Sequence, residues 1–331
     1  DELESAVRTN AVRDALLNEA MRELEVAQGG NGLFTGQRVG DFELGDVIAR
    51  GGMGEVYRAY HAETREVVAV KLLHRKDFGD PKVLARFVRE ANTAASLQSP
   101  HITRVLALST PQDPIPFIAM ELLDGEDLRA YLRHRNRMAV EEVVEMIDQL
   151  AIGLDVAHAH QIVHRDIKPT NVFRTGSTTA PVWKILDFGI SRQLSSEGTL
   201  TEGAIVGTPG YMPPEQAAGR DVDRRADVYG LAVVAYRSLT GHPPFAGDAT
   251  AVLIATIDEM PIRPGALCEL RSAMEMVLAI GLAKDRAERF SDAPSFARAL
   301  RGAAAGQLDP SLRSRARAIL KRRPWKDPES R

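Results

Sequence analysis

The sequence is poor in the features that mark membrane-spanning, secreted and nucleic-acid-binding proteins. It has one cysteine, Cys268, so an internal disulfide is impossible and no cysteine cluster predicts a zinc site. No apolar run approaches the roughly 20 residues that span a bilayer, and the N-terminus lacks the pattern of a secretory signal. Acidic residues (45) exceed basic ones (42), giving a formal charge of -3 and no overall positive field that attracts nucleic acid.

The remaining composition is typical of a globular protein. Hydrophobic residues make up 44% of the chain and charged residues 26%, close to average usage. The 331 residues allow about two domain-sized units at roughly 150 residues each. Because the lone cysteine indicates a reducing compartment, we predict a cytoplasmic protein, or the cytoplasmic part of a longer membrane-anchored one. We expect no membrane segment within this chain and no nucleic-acid partner.

The hydrophobic pattern divides the chain into segments of different character. Apolar residues at three- and four-residue steps predict an amphipathic helix over 1–28, and glycines then predict a flexible linker at 29–40. From Phe42 the pattern is strand-like, and beyond Asp124 it changes to helical periodicity. The final segment, 304–331, is strongly basic and predicts a solvated helix end or a docking element.

Two motifs in the strand-like part are candidates for phosphate binding. Gly51, Gly52 and Gly54 lie between two strand-like runs, where glycines let backbone N–H groups approach phosphate oxygens, although a plain tight turn fits equally well. Lys71 ends an apolar strand and needs an anionic partner, unless its side chain reaches the surface. Glu90, on a predicted helix, is the candidate carboxylate partner, although an exposed helix position is compatible with it too.

Two polar segments in the helical part have the composition of a magnesium and polyphosphate site. The first, His164-Arg165-Asp166-Ile167-Lys168-Pro169-Thr170-Asn171, presents Asp166 and Asn171 from one loop. The second is Asp187-Phe188-Gly189. Hard cations take oxygen ligands in proteins, and Asn171 and Asp187 supply such oxygens.

Taken in order, these motifs resemble the signature of the eukaryotic-like (Hanks-type) serine/threonine protein kinases, most closely the bacterial ones. The set is GGMGEV, VAVK, a helix glutamate, HRDIKPTN and DFG, extended by GTPGYMPPE and KDRAERF. The resemblance covers residues 41–303. It implies an α+β, bilobal protein kinase fold: a small five-stranded β lobe with one main helix (41–120), a hinge (121–125) and a larger, mostly helical lobe (126–303).

The resemblance implies transfer of the ATP γ-phosphate to protein Ser/Thr hydroxyls, with a role for each catalytic residue. Lys71, held by Glu90, would fix the α- and β-phosphates. Asp166 would accept the proton of the substrate hydroxyl. Lys168 and Thr208 occupy the positions that favour Ser/Thr over Tyr substrates in this family.

The resemblance also implies ATP and Mg²⁺ as cofactors, with Mn²⁺ as an alternative metal. Asn171 and Asp187 would be the metal ligands. Asp127 is placed to meet the ribose, although a helix N-terminal acid is an equal interpretation. The residues implied to contact ATP are Ile48, Gly51, Gly52, Gly54, Val56, Ala69, Lys71, Met120, Glu121, Leu123 and Asp127.

Further positions have structural or regulatory roles in the resembled family. Asp227 would steady the catalytic loop, and Arg289 would pair with Glu215 of the Pro-Pro-Glu sequence. Arg165 directly precedes the expected base, which in this family accompanies activation by phosphorylation of the following loop. The candidate phosphorylation sites are Thr201 and, second, Thr199.

Two alternatives remain. A pseudokinase scaffold, which binds ATP and partners without catalysis, usually lacks a residue equivalent to Lys71, Asp166 or Asp187, and all three are present. A small-molecule kinase is disfavoured by GTPGYMPPE and Arg289, which belong to a platform for protein substrates. The expected partners are protein substrates, together with a second copy of the chain, bound through the N-terminal helix or for autophosphorylation.

Overall fold

The computed structural model describes residues 30–51, 54–78, 80–110, 113–188 and 209–327, with only the backbone for Lys76, Arg86, Glu90 and Pro209. The predictions for residues 1–28, Gly52, Thr199, Thr201 and Thr208, and for the Glu90 side chain, therefore lie outside the described residues. The chain forms two compact units, the first within Asp1–Ala95 and Arg104–Leu123 and the second within Ser96–Thr103 and Asp124–Arg331.

The first unit is built on an antiparallel sheet and one helix. In the described residues the strands are β1 (Arg38–Val39), β2 (Phe42–Arg50), β3 (Gly54–His61), β4 (Val67–Leu73), β5 (Val105–Leu108) and β6 (Phe117–Glu121), and helix α1 is Pro81–Ser96. The spatial order is β1-β2-β3-β4-β6-β5. Strand β4, rich in β-branched valine, suits a central position. One sheet face buries Tyr57 and Val70, and α1 covers the other face with Phe87 and Ala91.

Two expectations are corrected in this unit. The sheet has six strands rather than five, because the two-residue strand β1 pairs with the start of β2. Residues 30–40, expected to be part of a linker, instead pack on the sheet. Phe34 and Val39 are only 7% and 3% exposed, and the Gly36 amide donates to the Leu44 carbonyl at 2.8 Å. Burial of these apolar side chains outweighs the flexibility that glycine confers.

The second unit is mostly helical, with a small three-stranded sheet. Its described strands are β7 (Gly125–Asp127), β8 (Val172–Gly176) and β9 (Pro181–Ile185). Its described helices are α2 (Leu128–Arg135), α3 (Val140–Ala159), α4 (Pro214–Ala217), α5 (Arg225–Thr240), α6 (Ala249–Asp258), α7 (Ser272–Gly281), α8 (Ala293–Ala304) and α9 (Pro310–Arg322). Helices α3, α5 and α7 supply fully buried core residues, among them Leu150, Val233 and Leu278.

The boundaries of the second unit differ from those expected. Ser96–Thr103 belongs to this unit, where Leu97 and Ile102 join the core, although the sequence analysis placed this stretch in the small lobe. The sequence predicts a separate tail at 304–331, yet α9 packs on α7 and buries Ala316 and Ile319. The three-residue step between these apolar positions places them on one helix face, which the surrounding basic residues conceal in the sequence. Among the described residues, no helix is long and apolar enough to cross a membrane.

Candidate active site

The loop after α3 is held by one buried carboxylate. Asp227, in the first turn of α5, is 1% exposed. Its Oδ2 accepts the backbone N–H of His164 at 2.9 Å, and its Oδ1 accepts that of Arg165 at 2.8 Å. Two successive amides are thus fixed by two oxygens of one side chain. Because a buried charge is stable only when it is hydrogen-bonded, the loop and the carboxylate depend on each other.

A histidine to which the sequence analysis assigned no role completes this arrangement. His158, at the end of α3, has a side chain only 3% exposed, and its Nε2–H donates to Asp227 Oδ2 at 2.7 Å. The carboxylate therefore receives three hydrogen bonds. No regular residue spacing in the sequence predicts the contact between His158 and Asp227. The only sequence feature that pointed to a role for His158 was its position just before the loop.

The three polar residues of this loop that were expected to act in chemistry lie together. Lys168 Nζ is 2.9 Å from Asp166 Oδ2, and both side chains are about one-fifth exposed (20% and 18%). The Nδ2 of Asn171 donates to the backbone oxygen of Asp166 at 2.8 Å and to its Oδ2 at 3.1 Å. The Asp166 carboxylate is thereby oriented by a cation and an amide, and the Asn171 amide is turned so that its oxygen points away from that carboxylate.

The segment before Gly189 is tied to the same loop. The Asp166 amide donates to His164 Nδ1 at 3.2 Å, so Nε2 of this ring carries the proton and donates to the Leu186 carbonyl at 3.0 Å. The Leu186 amide donates to the Asn171 carbonyl at 2.9 Å. The His164 and Phe188 rings pack with centroids 4.9 Å apart. This network places Asp187 beside the loop that contains Asp166.

Two residues of this network adopt a backbone conformation that L-amino acids rarely take. The φ angle is +66° at Arg165 and +39° at Asp187. Each such conformation costs about 1–3 kcal/mol and occurs preferentially at functional sites. The hydrogen bonds of Asp227 and His164 hold the neighbouring backbone and offset this cost.

Arg165 carries a guanidinium group in a partly buried setting. Burial lowers its pKa, and the nearby Asp227 carboxylate acts in the opposite direction. Its Nε is buried without a hydrogen-bond partner among the described residues. A buried N–H of this kind is costly, so the group is suited to receive an anion.

A buried ion pair joins α4 to the turn before α8. Arg289, whose side chain is fully buried, donates through Nη1 and Nη2 to the two carboxylate oxygens of Glu215, each at 2.7 Å. Its Nε donates to the Ala283 carbonyl at 2.8 Å, and Nη1 also donates to the Arg225 carbonyl at 3.1 Å. The resemblance to the kinase family implies this pair, and the structure brings the two side chains together.

In the first unit, Lys71 lies on the central strand β4. It is opposite Val56 of β3 and Ile118 of β6, and Ala69 is opposite Met120. Side chains alternate along a strand, so Lys71 shares the sheet face of Leu73, which packs against α1. Glu90 belongs to α1, the helix on that face. The sheet therefore presents the Lys71 amine on the side where this helix lies.

The glycine-rich turn joins β2 and β3. The Gly51 amide donates to the Gly54 carbonyl at 2.9 Å. A β-carbon on Gly54 would lie 1.8 Å from the Leu72 carbonyl oxygen, whereas the nearest atom to one on Gly51 would be 3.8 Å away. Arg50 and Glu55 pair across the turn at 3.0 Å. Although burial opposes it, hydrogen bonds from Tyr57 and Arg50 lower the pKa of Glu55.

The remaining residues that the resemblance implies at ATP belong partly to the first unit and partly to the second. Ile48 is 36% exposed on β2, and Leu123 is the last residue of the first unit. The Glu121 amide donates to the Arg104 carbonyl at 3.0 Å. Asp127, in the second unit, caps α2 by accepting the Ala130 amide at 2.7 Å, and burial raises its pKa. The carboxylate of Asp127 thus acts as the helix N-terminal acid that the sequence offered as an alternative to a ribose contact.

Comparison with known proteins identifies the family. The family described as protein kinase domain matches residues 42–300. The serine/threonine-protein kinase PknD of Mycobacterium tuberculosis is 38% identical over 293 residues, which cover 87% of this chain and 42% of PknD. The probable serine/threonine-protein kinase SCO3848 of Streptomyces coelicolor is 40% identical over 263 residues, covering 77% of this chain and 38% of that protein.

A solved structure supports the same conclusion for the fold. The crystal structure of the M. tuberculosis PknI kinase domain matches with a TM-score of 0.65 and 29% identity, covering 82% of this chain and 99% of that chain. The chain therefore belongs to the protein kinase family. The protein kinase fold expected from the sequence is confirmed, with the strand count corrected. The chain spans less than half the length of the curated relatives cited above.

Proposed function

We propose that this protein transfers the γ-phosphate of ATP to serine and threonine hydroxyls of proteins. The observation that carries the proposal is the Asp166, Lys168 and Asn171 cluster, held by Asp227 through the adjoining backbone. Phosphoryl transfer needs little covalent help from the protein and depends on positioning and electrostatic stabilisation. A carboxylate oriented by a lysine and an amide within a fixed loop is suited to that task.

In this proposal Asp166 accepts the proton of the substrate hydroxyl and aims the oxygen. Lys168, 2.9 Å from Asp166 Oδ2, orients the carboxylate and places a positive charge beside the transferred group. In the first unit, Lys71 on β4 binds the α- and β-phosphates, and the turn between Gly51 and Gly54 brings backbone close to the phosphates. Glu90 holds Lys71, and Thr208 contributes to selection of the hydroxyl substrate.

The donor set of the second unit fits a hard divalent cation. The side-chain NH2 of Asn171 donates to Asp166, so the side-chain oxygen of Asn171 is the atom that would bind a metal. Asp187 is an exposed residue whose carboxylate supplies further oxygen ligands. Asn171 and Asp187 would hold Mg²⁺, or Mn²⁺ in its place. When bound, this ion neutralises charge on the phosphates. ATP itself would contact the eleven positions named in the sequence analysis, with Met120 bordering the adenine.

We infer that the enzyme is activated by phosphorylation between Gly189 and Thr208. The buried Nε of Arg165, which has no hydrogen-bond partner in the part of the chain that the structure describes, supports this inference, since a phosphate dianion would satisfy it. Thr201 is the first candidate and Thr199 the second. Full activity of the Thr199→Ala/Thr201→Ala variant, with no phosphate detected at either site, would contradict it.

We further propose that two copies meet during autophosphorylation and that the N-terminal segment contributes to this association. Its apolar residues Leu17, Met21 and Leu24 recur at three- and four-residue steps. Deletion of residues 1–30 should change the phosphorylation rate or the oligomeric state, as measured by light scattering. Because ATP and protein substrates are required, we place the kinase activity in the cytoplasm.

Phosphate transfer to a Ser/Thr peptide library tests the proposed function. The wild type should phosphorylate serine and threonine peptides with ATP and Mg²⁺. Lys71→Met and Asp187→Asn should each lose roughly a thousandfold in rate, since each removes a charged contact worth several kcal/mol in the transition state. Nucleotide binding by the wild type without transfer would instead support the pseudokinase alternative.

A further inference from the structure

Residues 30–37, called the N-terminal strap below, lie along strand β2 beside the short strand β1. The Leu44 amide donates to the Gln37 carbonyl at 2.9 Å, and the Val47 amide donates to the Gly30 carbonyl at 3.3 Å. The backbone groups at the edge of a sheet are open to pairing with another segment. The strap occupies these groups on the strand that leads into the glycine-rich turn.

A chain of hydrogen bonds runs from the strap to that turn. The Phe34 amide donates to the Tyr57 hydroxyl at 3.2 Å, and this hydroxyl donates to Oε2 of Glu55. The other carboxylate oxygen of Glu55 accepts the Nε–H of Arg50 at 3.0 Å. Arg50 is the last residue of β2, and Glu55 is the second residue of β3. The strap is thereby linked to the two side chains that pair across the turn.

Tyr57 is the buried centre of this chain. The residue is 0% exposed, and its hydroxyl both donates and accepts a hydrogen bond. A hydrogen bond to a carboxylate is stronger than one between neutral groups. A β-carbon on Gly32 would collide with the Val47 side chain and with the Tyr57 hydroxyl, so glycine allows the strap backbone to approach the tyrosine closely.

The two sides of the glycine-rich turn are held differently. On the β3 side, Gly54 fits closely against the backbone of β4. On the β2 side, a β-carbon on Gly51 would meet no atom nearer than 3.8 Å, so hydrogen bonds rather than packing hold this side. The Gly51 carbonyl accepts from His74 Nε2 at 2.9 Å, and Arg50 pairs with Glu55. The strap acts on the second of these contacts.

We propose that Tyr57 is a positioning residue for ATP, which acts through Glu55 and Arg50 and couples the N-terminal strap to the glycine-rich turn. The ATP part of this proposal rests on the proposed function, because that function places the phosphates at the turn. The coupling of the strap to the turn does not depend on it.

Steady-state kinetics on the full chain test the role in ATP positioning. Tyr57→Phe keeps the ring and removes the hydroxyl, so the KM for ATP should rise about fivefold, the loss expected for one net hydrogen bond. The kcat and the KM for a peptide substrate should stay unchanged, because the lost contact acts on ATP binding alone. The matched control is Tyr236→Phe, since Tyr236 is 1% exposed in the second unit and donates its hydroxyl to the Ile262 carbonyl at 2.8 Å. This control should change neither KM.

Variants of the strap test whether it acts through Tyr57. Gly32→Ala should displace the strap and raise the KM for ATP as Tyr57→Phe does. The double variant should show no further rise, because both changes break the same chain of contacts. Thr35→Val serves if Gly32→Ala does not fold, since the Thr35 hydroxyl donates to the Gly45 carbonyl at 3.0 Å and accepts the Gly32 amide at 2.9 Å. Leu33→Ala, at a strap side chain that is 57% exposed, should behave as the wild type.

The possible results separate this proposal from the proposed function. An unchanged KM for ATP in Tyr57→Phe, an equal rise in Tyr236→Phe, or effects of the strap and tyrosine changes that multiply in the double variant would overturn the proposal. If the wild type binds ATP with Mg²⁺ and transfers no phosphate, the proposed function fails, and titration calorimetry decides the inference. A Kd for ATP about fivefold weaker in Tyr57→Phe would then support it, and an equal Kd would overturn it.

Discussion

The buried ion pair between Arg289 and Glu215 permits a quantitative prediction. Arg289→Met removes both guanidinium contacts at 2.7 Å and leaves a buried carboxylate without its partner. The same change also removes the donors to the carbonyls of Ala283 and Arg225. Methionine fills much of the space, so the main loss is electrostatic rather than a cavity.

The expected cost is large relative to the stability of a domain. Breaking a buried pair by removing one partner costs about 3–5 kcal/mol, because the remaining charge is uncompensated. Total unfolding free energies are about 5–15 kcal/mol, so this loss is a substantial fraction. The double variant Arg289→Met/Glu215→Gln should recover part of it, since the stranded charge is then removed as well.

Urea unfolding followed by circular dichroism measures this prediction. A matched control is Arg301→Met, because Arg301 pairs with Asp148 at 2.7 Å but is 59% exposed. An exposed pair contributes about 0–1 kcal/mol, so the control should unfold almost as the wild type does. A loss below about 1 kcal/mol for Arg289→Met, or a double variant less stable than either single one, would refute the reasoning.

Three further predictions concern other parts of the structure. Asp227→Asn should lower kcat at least about tenfold with little change in the KM for ATP, because one acceptor for the catalytic-loop amides is lost; steady-state kinetics decide this. Gly54→Ala should lower the melting temperature and weaken ATP binding, because a β-carbon would meet the Leu72 carbonyl, whereas Gly51→Ala should melt as the wild type does. Ala316→Asp should cost about 3 kcal/mol of unfolding free energy by burying an unpaired carboxylate in the core, and an unchanged urea midpoint would show that α9 does not pack there.

The site was more predictable from the sequence than the boundaries of the fold. Asp166, Lys168 and Asn171 lie in one short loop, so their proximity follows from chain connectivity. Arg289 and Glu215 are far apart in the sequence, and only the family resemblance indicated that they meet. His158 received no role from the sequence because its contact with Asp227 joins two helices, which no local pattern records.

The segment boundaries predicted from the sequence were wrong where the local composition and the burial of individual residues disagree. Glycines predicted a linker at 29–40, yet Phe34 packs against Tyr57 with ring centroids 6.5 Å apart, a contact that depends on the folded sheet. Likewise the basic character of 304–331 predicted a solvated helix end or a docking element without indicating which, and Ala316 and Ile319 of α9 are buried. In both cases a few apolar residues determine the packing, and composition averages over them.

Mass spectrometry of the protein after incubation with ATP and Mg²⁺ tests the central claim most directly. If Asp166 directs phosphoryl transfer, the wild type acquires phosphoryl groups on serine and threonine residues, and Asp166→Asn, purified in the same way, acquires none. Equal phosphorylation of both proteins, or none on a wild-type protein that binds ATP, would contradict the assignment of this protein as an active serine/threonine kinase.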